Sequence, residues 1–323
     1  MSASEVAKKP VSALRKLVFE YLEHLEVERN LSALTIRDYA HYLRIFTEWC
    51  ETQEMRQIEK LDLPMLKKYR LMLARTKTER GEKLTVRTQS YYLIALRAFL
   101  KWLTKNDRKV MSPEKIELPK AEAHQMSFLS VEQMQRVIQM PDVKTLPGLR
   151  DRAILEVLFS TGLRVSELVS LDREQVNLET REFGVIGKGR RQRVVFLSSG
   201  SAHWVDQYLR NRGDTYSPVF IRHAKGIDIT DEGEKMRLTT RSVQRIVEKY
   251  RKLAHLPIKI TPHSIRHSFA TDLLRNGAGL RDVQEMLGHK NLATTQIYTH
   301  VTQPQLKKVH EQFHSQGESS QAQ

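Results

Sequence analysis

The sequence predicts a mainly α protein of two domains: an N-terminal four-helix bundle, then a larger, mostly α domain with a small antiparallel β-sheet. Three observations lead there. The chain has 323 residues, about twice the roughly 150 of a typical single domain. Apolar residues recur at three- and four-residue spacing through most of it, the period of amphipathic helices. That period changes over residues 176–198, where VNLE, EFGVI, a GKGRR turn and RVVFLS read as a short antiparallel sheet.

Taken in order, a first helix is expected near 11–28, with Leu14, Val18, Tyr21, Leu22 and Leu25 inward. In TIRDYAHYLRIFTEWC, the stripe Ile36, Tyr39, Leu43, Phe46, Cys50 marks a second, with Thr35 as its expected N-cap. A third spans about 64–75. A fourth starts near Thr85 and carries Leu93, Leu96, Phe99, Leu100 and Leu103. These four fill a bundle over residues 1–110. Residues 111–128 contain Pro113 and Pro119, are polar and charged, and read as an interdomain linker. Ser130-x-x-Gln133 is a capping box that opens the second domain, 129–314. Helices are expected there at about 130–140, 148–160, 164–170, 200–210, 239–254, 263–275, 280–287, 292–299 and 303–313, with SQGESSQAQ, 315–323, as a disordered tail.

The composition narrows the function. Hydrophobic residues are 40% and charged residues 28%, which excludes a disordered chain. Lys and Arg number 53 against 38 Asp and Glu, a net +15, which calls for a polyanionic partner, nucleic acid or an anionic membrane surface. No run of 18 apolar residues occurs, and MSASEVAKKPVSALRK lacks the apolar core of a signal peptide. A membrane span and a secreted product are therefore disfavoured, and a cytoplasmic protein is expected. The lone cysteine, Cys50, excludes an intrachain disulfide and a cysteine-based zinc finger. Residues 1–120 hold 24 basic and 16 acidic side chains, and 121–323 hold 29 and 22. Two basic halves fit a clamp on one polyanion; the alternative is solubility charge on helix faces.

Several common chemistries lack their residues. His263/His267 and His310/His314 have the four-residue spacing of helical metal ligands, but neither pair lies in HExxH or beside an acidic cluster, so no metal site is expected. Gly184-x-x-Gly187-Lys188 lacks the spacing of a phosphate loop. No dinucleotide fingerprint and no Gly-x-Ser-x-Gly occur, so no cofactor and no hydrolase serine are expected. What remains is a set of cations beside turns. Arg164 follows Thr161-Gly162 at a helix break, and Lys188 sits at the tip of the expected hairpin. His263 and Arg266 share a face at the start of a helix opened by Thr261-Pro262. His289 follows Gly288, and Tyr298 comes nine residues later. Two arginines suit the non-bridging oxygens of a phosphodiester. Singly, each residue has an ordinary reading: a surface ion pair, a solvated turn lysine, a core tyrosine.

Together, TGLRVSELVSL, GKGRRQR, TPHSIRHSFATDLL and LGHKNLATTQIYTH, in this order, resemble the tyrosine recombinase family, with the greatest likeness to the Xer-type enzymes of bacteria and archaea. RNLSALTIRDYAHYLRIFTEWC also resembles the first long helix of that family's DNA-binding N-terminal domain, so the likeness covers nearly the whole chain. The resemblance implies that Arg164 and Arg266 clamp the scissile phosphate. Lys188 would protonate the departing 5′ oxygen, His263 would help move the nucleophile's proton, and His289 would hydrogen-bond the phosphate. Tyr298 would attack phosphorus to form a 3′-phosphotyrosyl link, and Glu167 would orient Arg164. The chemistry is coherent in itself. A phenol of pKa about 10 needs a base or a cationic pocket to act as nucleophile, and arginines can stabilise a phosphorane without metal ions. A covalent phosphotyrosine keeps the energy of the broken bond, so resealing needs no ATP.

The implied partner is a double-stranded DNA core site with two inverted arms, acted on by a homotetramer or by a heterotetramer with a paralogous recombinase, at the nucleoid and without a membrane. Leu306, Val309 and Phe313 give the last helix a small apolar face, which would dock into a neighbouring protomer by the resemblance or else fold back on its own domain. Resolution of chromosome or plasmid dimers, resolution of cointegrates, and integration of a mobile element all fit this reaction. Two rival functions stay open from the sequence: a type IB topoisomerase-like relaxation enzyme, and a helix-based DNA-binding regulator without catalysis.

Overall fold

The computed structural model describes residues 13–79, 81–119, 129–187, 192–223 and 231–288. The expected helices at 292–299 and 303–313 and the tail at 315–323 lie outside them. The chain divides into two compact units, Met1–His124 and Gln125–Gln323.

In the first unit, four helices form: α1 (Ala13–Val27), α2 (Ala33–Thr52), α3 (Leu63–Arg75) and α4 (Val86–Lys105). Their stripes meet in one core, where Leu14, Val18, Tyr21, Leu43, Phe46, Leu66, Tyr69, Leu96, Phe99 and Leu103 are buried. Leu22, Ile36 and Tyr39 are only partly covered at its rim. Each start has a local cause. Asp62 accepts from the Met65 N–H at 2.8 Å, and Thr85 accepts from that of Thr88 at 3.2 Å. α2 begins earlier than Thr35: Ser32 is its N-cap, and Thr35 lies inside the first turn with its hydroxyl 2.9 Å from that of Ser32. Either residue can cap, and the earlier one adds a turn of helix. The expected linker also departs from its composition at its start. A short 3-10 turn, Pro113–Lys115, presses Pro113 and Ile116 into the first unit's surface, where Ile116 is wholly buried. Two apolar side chains in a polar stretch suffice to fasten it.

The second unit is built around α6 (Leu146–Thr161), which packs against α5 (Val131–Ile138), α8 (Ser199–Arg212), α9 (Thr240–Leu253) and α10 (Pro262–Arg275). A helix with neighbours on most sides must be apolar nearly all round, and Ala153, Ile154, Leu155, Val157 and Leu158 are all buried. α7 (Val165–Val169) follows α6, and α11 (Leu280–Leu287) follows α10. The Ser130–Gln133 capping box forms as expected, with Gln133 N–H to Ser130 Oγ at 3.2 Å and Ser130 N–H to Gln133 Oε1 at 3.0 Å. The sheet is a two-stranded antiparallel ladder, β1 (Glu182–Ile186) and β2 (Gln192–Phe196), with Gly184 opposite Val194 and Val185 opposite Arg193. VNLE is not a strand. The Asn177 side chain accepts the N–H groups of Glu179 and Thr180 at 2.9 and 3.0 Å, turning the chain before β1. Among the described residues no helix is long and apolar enough to cross a membrane.

The junction of α6 and α7 depends on Gly162. It caps α6 in the left-handed region at φ +58°, and a Cβ there would lie 2.4 Å from Phe269 Cδ1 on α10. Gly162→Ala is expected to cost on the order of 2–4 kcal/mol, combining left-handed strain with overpacking. A urea midpoint lowered at unchanged slope would show it, and an unshifted midpoint would refute it.

Candidate active site

The turn at Gly162 brings three helix ends together. α6 ends there, α7 begins three residues later at Val165 with Arg164 as its N-cap, and α11 ends nearby at Leu287, capped by left-handed Gly288. α10 runs beneath them, started by Thr261, whose Oγ accepts the Ser264 N–H at 3.1 Å, and by Pro262 in the first turn.

Arg266 joins these ends. It is 3% exposed, and its guanidinium donates from Nη1 to the Gly162 carbonyl at 2.6 Å and from Nη2 to the Leu287 carbonyl at 2.5 Å. Both acceptors are at helix C-termini, where the backbone dipoles favour a cation. That is why a permanent charge is tolerated in this place.

Arg164 is held differently. Its side chain is 32% exposed, and Nη1 donates to Glu167 Oε1 at 2.8 Å, while its backbone N–H donates to Glu167 Oε2 at 2.8 Å. Glu167 is buried on α7 and also takes both terminal nitrogens of Arg193, at 2.9 and 2.8 Å. Burial alone would raise its pKa, but the Arg193 and Arg164 hydrogen bonds and the Arg193 charge outweigh it and hold the carboxyl at about 2. Glu167 is therefore a carboxylate at any ordinary pH.

His263 stands one turn before Arg266 on α10. Desolvation of part of its ring, then the Arg266 charge, then that of Arg164, hold its imidazole below the ordinary histidine pKa, so it is neutral near pH 7. Its Nε2 faces that of His267 at 2.8 Å, with the rings nearly perpendicular. One proton lies between the two nitrogens, so one ring donates and the other accepts. Among the described residues no group of three His, Cys, Asp or Glu side chains could hold a metal ion.

Of the residues expected from the sequence, Arg164, Glu167, His263 and Arg266 thus gather at one set of helix ends. Lys188, His289 and Tyr298 lie outside the described residues. Arg193 was not singled out from the sequence. It is buried in the basic string GKGRRQR, and its partner Glu167 is 26 residues away, so no local pattern marks it.

This gathering of cations coincides with what the chain resembles in full. Residues 127–304 match the model of the phage integrase family, and residues 18–107 match that of the phage integrase N-terminal SAM-like domain. The tyrosine recombinase XerD of Listeria monocytogenes serotype 4b (strain F2365) is 34% identical over 314 residues, covering 93% of this chain and 99% of that protein. The tyrosine recombinase XerC of Bacillus pumilus (strain SAFR-032) is 36% identical over 313 residues, covering 93% and 96%. Among solved structures, the XerH site-specific recombinase in a post-cleavage complex with its palindromic difH substrate shares the fold at a TM-score of 0.68 and 22% identity, over 91% of this chain and 83% of that one. With both of its units matched and relatives aligned along nearly all of its length, the chain belongs to the phage integrase family, as a tyrosine recombinase of the Xer type.

Proposed function

We propose that this recombinase cuts and rejoins DNA through a 3′-phosphotyrosyl intermediate formed by Tyr298, with strand exchange through a Holliday junction in a tetramer. The observation that carries the reading is the convergence of Arg164, His263 and Arg266. The two arginines are close enough to depress the His263 pKa, and the imidazole beside them is neutral and able to take a proton. In this reading Arg164 and Arg266 bind the non-bridging oxygens of the scissile phosphate, and Glu167 orients Arg164. His263 accepts the Tyr298 proton as the phenolic oxygen bonds to phosphorus. Lys188 gives a proton to the departing 5′ oxygen, and His289 donates a hydrogen bond to the phosphate. Each step is reversed in rejoining, with the 5′ hydroxyl of another strand as nucleophile. The partner is a duplex core site with two inverted arms, and the tetramer is made of this chain alone or together with a paralogous recombinase. A topoisomerase-like or purely regulatory role is not favoured, since the curated relatives are named as tyrosine recombinases along their whole length.

A nicked suicide substrate built from candidate sites beside the gene tests this. A covalent protein–DNA band that survives denaturation is expected. Specific binding to such sites with no adduct, at any nick position, would leave a DNA-binding protein without this chemistry.

A further inference from the structure

Arg193 has no part in the reaction proposed above, yet three elements meet at it. It is the second residue of β2, opposite Val185, and strand alternation puts it on the same inward face as Val195. Its side chain is 9% exposed. Nη1 and Nη2 grip the two oxygens of Glu167 in a fork, and Nε donates to the Met286 carbonyl in the last turn of α11 at 3.0 Å. Its Cδ lies against Gly288, where an added Cβ would come within 3.2 Å of it. By sequence, Lys188 is five residues before it, and His289 is the residue after Gly288.

The charges explain why such a residue is needed. Glu167 Oε1 is shared by Nη1 of Arg164 and Nη1 of Arg193, at 2.8 and 2.9 Å. A carboxylate that positions Arg164 alone would also cancel its charge, and a neutral pair is a weak site for a phosphate dianion in the making. With Arg193 added, one carboxylate is set against two guanidiniums, and the trio carries a net positive charge. Arg193 is the less exposed of the two, and Arg164 is the one that keeps an open side.

We infer that Arg193 is a positioning residue for strand cleavage: by neutralising and orienting Glu167, it lets Glu167 hold Arg164 in place without consuming the charge that Arg164 presents to the phosphate. This rests on the reading of Arg164 as a phosphate-binding residue.

The test uses the full-length chain and single-turnover cleavage of the suicide substrate at saturating DNA, below the unfolding temperature of every variant. Arg193→Gln is expected to slow cleavage by about 10–100-fold, by analogy with the range found when the outer partners that orient metal ligands are removed, with DNA affinity little changed. Adding Glu167→Gln to it should recover part of that loss, because the uncompensated carboxylate is gone while the amide oxygen can still accept from Arg164 Nη1. A brace that only holds β2 to α11 predicts that the double variant is no faster than the single one, and that result overturns the inference, as does Arg193→Gln cleaving at the parental rate. Should Arg193→Gln fail to fold, Arg193→Lys keeps the charge while losing the fork, and it should cleave near the parental rate. A folded Lys variant slowed by 10-fold or more would sink the charge argument. The parent chain and Arg164→Ala serve as references. A parent without adduct, or a fully active Arg164→Ala, brings down the underlying reading of the site, whereas an Arg193 failure beside an active parent and a crippled Arg164→Ala brings down this inference alone.

Discussion

Arg266→Ala is expected to lose both chemistry and stability. Cleavage at saturating DNA should fall on the order of 10²-fold or more, the scale of removing one preorganised donor from a developing oxyanion. The same substitution leaves the Gly162 and Leu287 carbonyls without the donors that now reach them at 2.6 and 2.5 Å. Each buried polar group left unpaired costs about 1–3 kcal/mol, so a loss of about 2–6 kcal/mol in unfolding free energy should accompany the kinetic defect. Arg266→Lys should recover little, since a single ammonium on a flexible stem cannot match a planar fork that spans two helix ends. Arg164→Ala is the informative contrast. At 32% exposure and with Glu167 still gripped by Arg193, it should match the cleavage defect while unfolding close to the parental midpoint. Single-turnover cleavage and urea titration on the same preparations separate the two effects. An Arg266→Ala chain that is as stable as the parent would contradict the role of the guanidinium at the helix ends.

Tyr298→Phe should bind DNA as the parent does and form no covalent adduct, because the ring is kept and only the nucleophilic oxygen is lost. Tyr298 lies outside the described residues, but the fold argues against two other tyrosines of the same unit. The Tyr208 side chain is wholly buried, with its hydroxyl 3.3 Å from His223 Nε2 and accepting the Ile221 N–H. Tyr250 donates its proton to buried Asp151 at 2.9 Å, and burial together with that carboxylate pushes the phenol well above its ordinary pKa. Neither is fit to ionise toward a phosphate. Mass spectrometry of the trapped complex should place the DNA on Tyr298. An adduct that persists in the Phe variant would displace it as the nucleophile.

What could be read from the sequence was whatever is local. The stripes of α1, α2 and α4 identify their buried faces because a single helix repeats its own pattern. The Ser130–Gln133 box and the Thr85 cap are decided within four residues. Glu167 was within reach too, three residues beyond Arg164. Where two local solutions compete, as with Ser32 and Thr35, the pattern leaves the boundary open. VNLE alternates like a strand, but the Asn177 side chain bonds the backbone first. Ile116 looks like one apolar residue in a charged linker, and only the folded surface of the first unit buries it. Arg193 is the extreme case. Its partners come from α7 and α11, 26 and 93 residues away, so nothing beside it announces its role.

The bonds from Arg266 to the two helix ends also bear on how such a chain would decay. Copies of mobile or duplicated genes often outlive their use. In a copy no longer selected for cutting DNA, the part-exposed side chain of Arg164 could drift with little harm to folding, since Arg193 still holds Glu167. Arg266 could not, since the carbonyls of Gly162 and Leu287 would still need a cation between them. A silent descendant would thus keep Arg266 as a relic of folding, and its presence alone would say nothing of activity. The first marks of lost catalysis would be found at the outward-facing arginine.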